Sequence, residues 1–411
     1  MSRPHVTKSL STRVILIRSG QVYAPDPRGL VDILVVNDRV AAIGPSLAMP
    51  PWADDATVID AQGLLVFPGL VDQHVHFAGG GGEGGPQYRT PELSLTDLTR
   101  CGLTTVVGVL GTDGTTRSVQ ELLAKARALA VEGGLNTWIY TGAYQVPTRT
   151  ITDNPRNDII LIDRIVGIGE IAISDHRGSH PSDRELAHLA GEARTGGLLS
   201  GKAGVLHVHV GSGHRQISPL LEVLDIADVP IGTMIPTHVN RQSSLLKDAV
   251  RYARRGGYLD ITTSITPATH DPDAVDPVLA VKFLRDNGIA LDQISFSTDA
   301  GGSAPVFDER GGLMKMGVGL ADSLFQKVVG LHETLGLDWS DALLPATKTP
   351  ARILKLGDVG HIDTGCRGDL LVSDGKSLVS VVAAGRILVQ GGRPVVFGLF
   401  ETNQTEDRAN R

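Results

Sequence analysis

The sequence predicts an α/β protein with a central (β/α)8 barrel and a small β-sandwich formed by both termini. Three observations favour this fold class. The chain has 411 residues, enough for a barrel of about 250 residues and a smaller unit. Its central part alternates short apolar runs with longer helical stretches, which is typical of a parallel sheet covered by helices. Both ends of the chain instead read as short alternating strands broken by turns.

Eight short runs rich in Val, Ile and Leu are predicted to be the barrel strands. They cover residues 70–76, 104–109, 137–141, 165–173, 205–210, 234–239, 259–263 and 294–298. Helical stretches lie between several of these runs, at residues 118–132, 183–195, 242–255 and 276–287. A closed barrel is the simplest fold that explains this alternation. Reactive groups in such barrels gather at the carboxyl ends of the strands.

The two flanks are predicted to share one β domain. Short strands are indicated at residues 14–18, 32–37 and 40–43, and again at residues 369–373 and 378–389. Either set alone would be marginal in water, whereas a sandwich built from both would bury both sets. We therefore predict that residues 1–66 and 356–411 form the two parts of the sandwich, and that residues 67–355 form the barrel.

Composition excludes several classes of protein. The chain has 38 basic and 45 acidic residues and a net charge of -7, without a basic stripe interleaved with aromatics, so nucleic acid is not an expected partner. Cys101 and Cys366 lack metal or redox spacing, which favours a reducing cytoplasm. The first residues are polar, and no run reaches the ~20 apolar residues that would cross a membrane. We expect a soluble cytoplasmic protein.

His74 and His76 form an HxH pair at the end of the first predicted barrel strand. Residues two apart on a strand face the same side, so both imidazoles would converge on one point where a cation could bind. Such a pair taken alone is more often hydrogen-bonded or solvated than metal-binding, because a metal site needs further ligands.

Further candidate ligands fall on or directly after four other predicted strands. They are Glu170, His209, His238 and Asp299. Four imidazoles and two carboxylates suit one or two zinc-like divalent ions, and a carboxylate can bridge such a pair. His207 shares a strand face with His209, so spacing does not decide which of the two is the ligand. His176, His180 and His214 lie in polar loops, where a solvated histidine is as good an interpretation as a functional one.

The motifs that contain these residues resemble the isoaspartyl (β-aspartyl) dipeptidases of the amidohydrolase superfamily. HxH with a late Asp marks only the superfamily. The more specific motifs are the loop Gly79-Gly80-Gly81-Gly82-Glu83, Thr141-Gly142-Ala143-Tyr144, Ile173-Ser174-Asp175-His176-Arg177 and Pro236-Thr237-His238-Val239-Asn240-Arg241. They occur in order over nearly the whole predicted barrel, and the flanking β segments look like the family's terminal sandwich.

The resemblance implies a cytosolic metallopeptidase that cleaves dipeptides in which aspartate is linked through its side-chain carboxyl group. His74, His76 and Asp299 would hold one metal, and His209 and His238 the other, with Zn2+ as the expected ion. A hydroxide between the metals would attack the amide. Asp299 would carry the proton to the leaving amine, and Tyr144 would donate a hydrogen bond to the oxyanion.

The resemblance also implies a set of substrate-binding residues for a zwitterionic dipeptide. Glu83 suits the α-ammonium group, and Arg177 and Arg241 suit carboxylates because a guanidinium binds them through two bonds. Thr112 and Ser303 match positions that hydrogen-bond the substrate. Family members that it resembles form octamers, so we expect a homo-oligomer.

One residue, Glu170, departs from the pattern of the dipeptidase family and keeps two alternative functions open. Many members carry a carboxylated lysine where this chain has Glu170, and other amidohydrolases resemble this chain in using a glutamate there. We predict that Glu170, together with hydroxide, bridges both ions after a modest backbone adjustment. The first alternative is hydrolysis of cyclic or N-acyl amides, as in hydantoinases, dihydroorotases and deacylases. The second is a non-catalytic scaffold barrel, which the complete ligand set disfavours.

Overall fold

The computed structural model describes residues 12–53, 55–308 and 310–401. Its strands are β1 (Val14–Tyr23), β2 (Pro27–Val36), β3 (Arg39–Gly44), β4 (Thr57–Asp60), β5 (Leu65–Pro68), β6 (Leu70–Val75), β7 (Leu103–Gly108), β8 (Asn136–Thr141), β9 (Ile165–Ile173), β10 (Val205–Val210), β11 (Met234–Thr237), β12 (Leu259–Thr262), β13 (Ile294–Ser297), β14 (Ser303–Phe307), β15 (Leu313–Val318), β16 (Leu370–Ser373), β17 (Leu378–Ala383), β18 (Arg386–Gln390) and β19 (Arg393–Pro394).

The helices lie mostly between the central strands. They are α1 (Leu95–Thr99), α2 (Val119–Gly133), α3 (Pro155–Leu161), α4 (Asp183–Ser200), α5 (Ser218–Ile226), α6 (Ser243–Arg254), α7 (Pro277–Asp286), α8 (Ser323–Leu335), α9 (Trp339–Leu343) and α10 (Lys348–Ile353). Short 3-10 turns occur at Pro86–Tyr88, Ile231–Thr233, Leu291–Gln293 and Leu344–Ala346. In the described part of the chain, no helix is long and apolar enough to cross a membrane.

A curled parallel sheet forms the centre of the molecule. Strands β6 to β11 pair in chain order, and β12 pairs with β13. The eight predicted runs are all strands, with ends that differ from prediction by at most two residues. Strands β6, β7, β9 and β10 are buried along their whole length, as expected for strands that are covered on both faces.

Local sequence signals fix the ends of the longer helices. At the start of α2, the Ser118 hydroxyl accepts from the Glu121 amide while the Glu121 carboxylate accepts from the Ser118 amide. This capping box satisfies two amides that the helix leaves unpaired. Gly134 ends the helix in the left-handed conformation, with φ 74°, which glycine adopts without a steric penalty.

Both termini contribute to a second sheet, which has nine strands. Its order is β19-β18-β17-β16-β5-β1-β2-β3, and β4 pairs with β1. The antiparallel pairing of β16 with β5 joins the C-terminal strands to the N-terminal ones. The apolar side chains of Ile15, Val35 and Val372 lie in a separate small core beside this sheet. Strands from both ends of the chain thus belong to one continuous hydrogen-bonded sheet.

A hairpin formed by β14 and β15 follows the last parallel strand and was not predicted. It extends from Ser303 to Val318 and is partly exposed, with Met314 72% exposed and most other strand residues half-buried. Its residues do not show the regular apolar alternation of a half-buried strand, because little of the hairpin packs on a core.

Candidate metal centre and active site

The HxH pair of β6 converges as its spacing predicts. Nε2 of His74 and Nε2 of His76 lie 3.3 Å apart, and both rings are buried. Asp299, which follows β13, places Oδ1 3.4 Å from the first of these nitrogens and 3.1 Å from the second. These three side chains form one compact group of potential metal ligands.

Glu170 divides its two oxygens between two groups of imidazoles. Oε1 lies 3.5 Å from His74 Nε2 and 3.4 Å from His76 Nε2. Oε2 lies 3.2 Å from His209 Nδ1 and 3.5 Å from His238 Nε2. One carboxylate thus faces both halves of the cluster, with its side chain only 1% exposed.

The backbone is irregular where these side chains leave the sheet. Between Leu206 and Val208 of β10, the single residue His207 lies opposite two residues of β9, Gly169 and Glu170. Such a bulge changes the direction in which a side chain points. His238 and Asp299 have φ values of 63° and 58°, in the left-handed region that non-glycine residues seldom adopt.

Three of the four imidazoles that face the cluster are also contacted from outside it, whereas His76 Nδ1 has no hydrogen-bond partner among the described residues. His74 Nδ1 lies 2.8 Å from His207 Nε2, and His238 Nδ1 lies 2.6 Å from the Thr262 hydroxyl. His209 Nε2 lies 2.8 Å from Asp175 Oδ2. Contacts of this kind fix the ring orientation of metal ligands. They also separate the two candidates on β10, because His209 faces Glu170 whereas His207 supports His74.

The electrostatics of the cluster suit a bound cation. Burial raises the pKa of Glu170, but the facing imidazoles more than offset this effect and lower the pKa well below its usual range. Asp299 is also buried, yet hydrogen bonds from His74 and His76 lower its pKa well below the ordinary value. Burial disfavours a charged His74, but Glu170 and Asp299 raise its pKa. A potential that favours a proton there also favours a metal ion.

Tyr144 lies at the edge of the cluster. Its hydroxyl is 2.8 Å from His209 Nδ1. Burial, together with the negative charge of Glu170, raises the pKa of this phenol well above its ordinary value. The phenol therefore keeps its proton at neutral pH and can serve as a hydrogen-bond donor.

A buried network of opposite charges begins beside Tyr144. Arg177 lies over the Tyr144 ring at 5.5 Å and donates from Nη1 to Glu83 Oε1 at 3.1 Å. The same Glu83 oxygen accepts from the hydroxyls of Thr112 at 2.9 Å and Ser303 at 2.8 Å. Glu83 Oε2 is buried and has no hydrogen-bond partner among the described residues.

Arg241 lies apart from this network. It lines a cavity of about 380 Å3 together with Arg177, His270 and Phe307, and its buried Nε has no partner in the described part of the chain. His176, His180 and His214 line a neighbouring cavity of about 320 Å3, His176 lines the first cavity as well, and none of the three is in the groups of potential metal ligands. The structure thus brings together all six predicted metal ligands, and Tyr144, Glu83, Thr112, Arg177 and Ser303 adjoin them.

Sequence reasoning missed two residues of this site and left a third open. Asp175 and Thr262 were not singled out, and His207 was not separated from His209. Asp175 lies in the Ser174-Asp175-His176-Arg177 motif, so its position two residues before Arg177 is the signal that could have identified it. Thr262 has no comparable motif, because its contact with His238 joins two different strands.

Comparison with known proteins identifies the family. Residues 65–404 match the amidohydrolase family model. The chain therefore belongs to the amidohydrolase family, and it is a hydrolase.

Within that family, the chain is similar along almost its whole length to a β-aspartyl dipeptidase. The structure of that enzyme from Fervidobacterium islandicum AW-1, in complex with the β-Asp-Leu dipeptide, is 39% identical, with a TM-score of 0.85, and the match covers 93% of this chain and 98% of that one. A second structure of that dipeptidase is 38% identical, with a TM-score of 0.83. The resemblance to β-aspartyl dipeptidases is thus confirmed.

Two other matches are more distant. A D-hydantoinase from Thermus sp. is 16% identical, with a TM-score of 0.67 and coverage of 94% of this chain and 98% of that one, and this likeness shows the fold alone. A dihydroorotase of Geobacter metallireducens is 30% identical over 194 residues, which are 44% of this chain and 40% of that relative. The chain thus spans less than half of the dihydroorotase that it matches.

Proposed function

We propose that this protein hydrolyses β-aspartyl dipeptides in a metal-dependent reaction. The observation that carries the proposal is the buried pair of Glu83 and Arg177, 3.1 Å apart, beside a cluster of four imidazoles and two carboxylates, in which His209 contacts Glu170. The pair offers one negative and one positive group to a substrate whose aspartyl residue carries a free ammonium and a free carboxylate. The 39% identity to a β-aspartyl dipeptidase supports the same substrate class.

The ligand set fits two divalent ions. His74, His76 and Asp299 would hold one, His209 and His238 would hold the other, and the two oxygens of Glu170 would reach both. Zinc is the ion that we propose, because imidazole and carboxylate groups in small clusters suit it. When bound, the ions would lower the pKa of water toward about 7 and polarise the amide carbonyl.

The protein's own groups have separate tasks around the amide. Asp299 would take a proton during attack and deliver it to the leaving amine. Tyr144 keeps its proton and would donate a hydrogen bond to the carbonyl oxygen as negative charge develops on it. Because both groups are buried, water competes little for these hydrogen bonds.

Recognition of the substrate would come from charged groups at fixed separation. Glu83, whose second oxygen has no partner in the described chain, would accept from the α-ammonium group. Arg177 would bind the α-carboxylate, and Arg241, in the adjoining cavity, would bind the carboxylate of the leaving residue. Thr112 and Ser303 donate to Glu83 Oε1 and would also hydrogen-bond the substrate.

We also propose that the parallel strands close into a complete barrel. The Val239 amide donates to the Asp260 carbonyl, which links the segment after β11 to β12. Between the segment after β13 and the end of β6, the Asp299 amide donates to the His74 carbonyl, and the His76 amide donates to the Ala300 carbonyl. The terminal sheet would fold over its own small core as a sandwich. The domain boundaries, the homo-oligomer and the cytoplasmic setting stay predictions.

The experiment that tests the function is the release of aspartate by the purified protein. Zinc-loaded protein should release aspartate from β-Asp-Leu and not from α-Asp-Leu, and a chelator should abolish the release. The α-linked peptide is the matched control, because it has the same atoms and charges in a different linkage. Cleavage of neither peptide by protein that holds two metal ions would contradict the proposal.

The local similarity to a dihydroorotase keeps cyclic amides as the second candidate. Glu83 separates the two functions, because a cyclic or N-acyl amide has no free ammonium group. Glu83→Gln should reduce cleavage of β-Asp-Leu strongly. Hydrolysis of dihydroorotate or hydantoin by wild-type protein, with little loss in Glu83→Gln, would favour the cyclic amidase.

A further inference from the structure

Asp175 contacts both halves of the active site. It follows β9 and is 5% exposed. Oδ2 lies 2.8 Å from His209 Nε2 and accepts from Arg177 Nη2 at 2.8 Å. Oδ1 accepts from Arg177 Nε at 3.0 Å and from the Arg177 amide at 2.8 Å. One carboxylate thus binds a guanidinium through two bonds and an imidazole through a third.

The contact with His209 determines which nitrogen faces the metal cluster. An ionised carboxylate only accepts, so His209 Nε2 must carry the hydrogen. Nδ1 then presents its lone pair to the Tyr144 hydroxyl at 2.8 Å and to the side where Glu170 Oε2 lies, 3.2 Å away. Without Asp175, the ring would lose the acceptor that fixes this tautomer.

The contact between Asp175 and Arg177 orients the Arg177 guanidinium, which is proposed to bind the substrate. Two parallel bonds to Asp175 hold the plane of the guanidinium and leave Nη1 directed at Glu83. If the guanidinium were released, it could turn both donors toward Glu83 and occupy the carboxylate that the substrate ammonium needs.

The other outward partners of the metal-facing rings are neutral groups. Thr262 holds His238 through a hydroxyl, and His207 holds His74 through a ring nitrogen. Neither is bonded to Glu83 or Arg177 in the described part of the chain. Asp175 differs from them in bearing a charge and in joining a metal-facing ring to a group that binds substrate.

We propose that Asp175 is a positioning residue that couples substrate recognition at Arg177 to metal binding at His209. The coupling predicts a specific non-additive effect, because Arg177 would influence metal affinity only through Asp175. The substrate half of this proposal rests on the proposed function, whereas the metal half does not.

The test compares four proteins: wild type, Asp175→Asn, Arg177→Ala and the double variant. Zinc affinity is measured by competition with a chromophoric chelator. Asp175→Asn should bind the more weakly held zinc ion about 10- to 100-fold less tightly. Arg177→Ala should lose a few-fold, because Asp175 becomes free to turn away from His209. The double variant should bind zinc no worse than Asp175→Asn does.

A matched control is Thr262→Val, which removes the hydroxyl partner of His238 and leaves the Arg177 network intact. It should lower zinc affinity, and its effect should add to that of Arg177→Ala. Additive losses in the Asp175 and Arg177 pair, or an unchanged affinity in Arg177→Ala, would overturn the coupling. If Asp175→Asn does not fold, the zinc affinity of Arg177→Ala still tests the coupling, because an unchanged affinity would overturn it.

A kinetic measurement completes the test. At saturating zinc, Asp175→Asn should raise KM for β-Asp-Leu at least tenfold while the zinc sites stay filled. An unchanged KM would overturn the substrate half. Failure of wild-type protein to cleave β-Asp-Leu would overturn the proposed function and the substrate half of this proposal. The zinc titrations would still decide whether Arg177 influences metal affinity through Asp175.

Discussion

His74 Nδ1 and His207 Nε2 lie 2.8 Å apart in the buried interior. The His207 ring also stacks on Tyr140, with ring centroids 4.9 Å apart and planes at 10°. This arrangement holds the His74 ring so that Nε2 faces Asp299 and Glu170.

The first prediction concerns this contact. His207→Leu should lower zinc affinity about 10- to 100-fold, because His74 loses the partner that orients it. The measurement is a competition titration with a chelator. Tyr140→Phe is the control, since the Tyr140 hydroxyl has no partner among the described residues and its ring would remain. Equal zinc affinities in His207→Leu and wild type would contradict this role.

Glu170 gives the second prediction. Glu170→Gln should reduce the zinc content from about two equivalents to about one, because an amide cannot offer a charged oxygen to each half of the cluster. Reconstitution of wild-type protein should also be independent of bicarbonate, since no lysine carbamate is required. Metal analysis after dialysis measures the first effect. A fully active protein with one equivalent, or a strict requirement for bicarbonate, would refute the bridge.

The third prediction concerns the substrate ammonium. Glu83→Gln should lower kcat/KM for β-Asp-Leu by about 10- to 100-fold, because a hydrogen bond to a charged group contributes about 1.5–3 kcal/mol. Ser303→Ala removes one of three donors to Glu83 Oε1 and leaves the carboxylate charge in place, so its loss should be smaller than that of Glu83→Gln. Steady-state kinetics on both variants test the order of the two effects. A larger loss in Ser303→Ala would contradict recognition by charge.

The fourth prediction concerns stability, at Asp369 in the terminal sheet. Burial raises the pKa of this carboxyl group to about 6, against the lowering effects of Arg367 and the Ala384 amide. The folded state therefore binds more protons than the unfolded state between about pH 4 and pH 6. The contribution of Asp369 to stability is present in full below this range and is lost as the pH rises through 6.

Asp369→Asn should remove this pH dependence. The melting temperature of wild type minus that of the variant should fall as the pH rises from 4 to 7. The corresponding change in the free energy of unfolding is roughly 3 kcal/mol at most. Calorimetry at several pH values measures it. A difference that stays constant or grows with pH would show that Asp369 remains charged throughout.

The convergence of the six candidate ligands could be predicted because their positions follow strand geometry. An HxH pair on one strand, and single ligands after later strands, converge whenever parallel strands end at the same edge. The eight central strands could be predicted because most of their residues are buried, so they stand out as short runs rich in Val, Ile and Leu between longer helical stretches.

The contacts that hold the imidazole rings from outside the cluster could not be predicted, because they depend on side chains that meet across different strands. His207 and His209 share one face of β10, and only the bulge at Gly169 and Glu170 decides which ring meets Glu170. The predicted single run at residues 378–389 is two strands, because Ala384 and Gly385 turn the chain with φ values of 48° and 61°.

The pairing of β5 with β16 constrains the order in which the molecule can form. Val66 lies opposite Val372, so this pair joins residues about 300 positions apart. Contacts between such distant residues are slow to form, because a long loop must close first. During synthesis, the N-terminal strands wait for the end of the chain, while β6, which carries His74, follows β5 after a single residue. A newly made chain therefore leaves the β5 edge, which lies next to the strand of His74, unpaired until residues 370–373 have been synthesised.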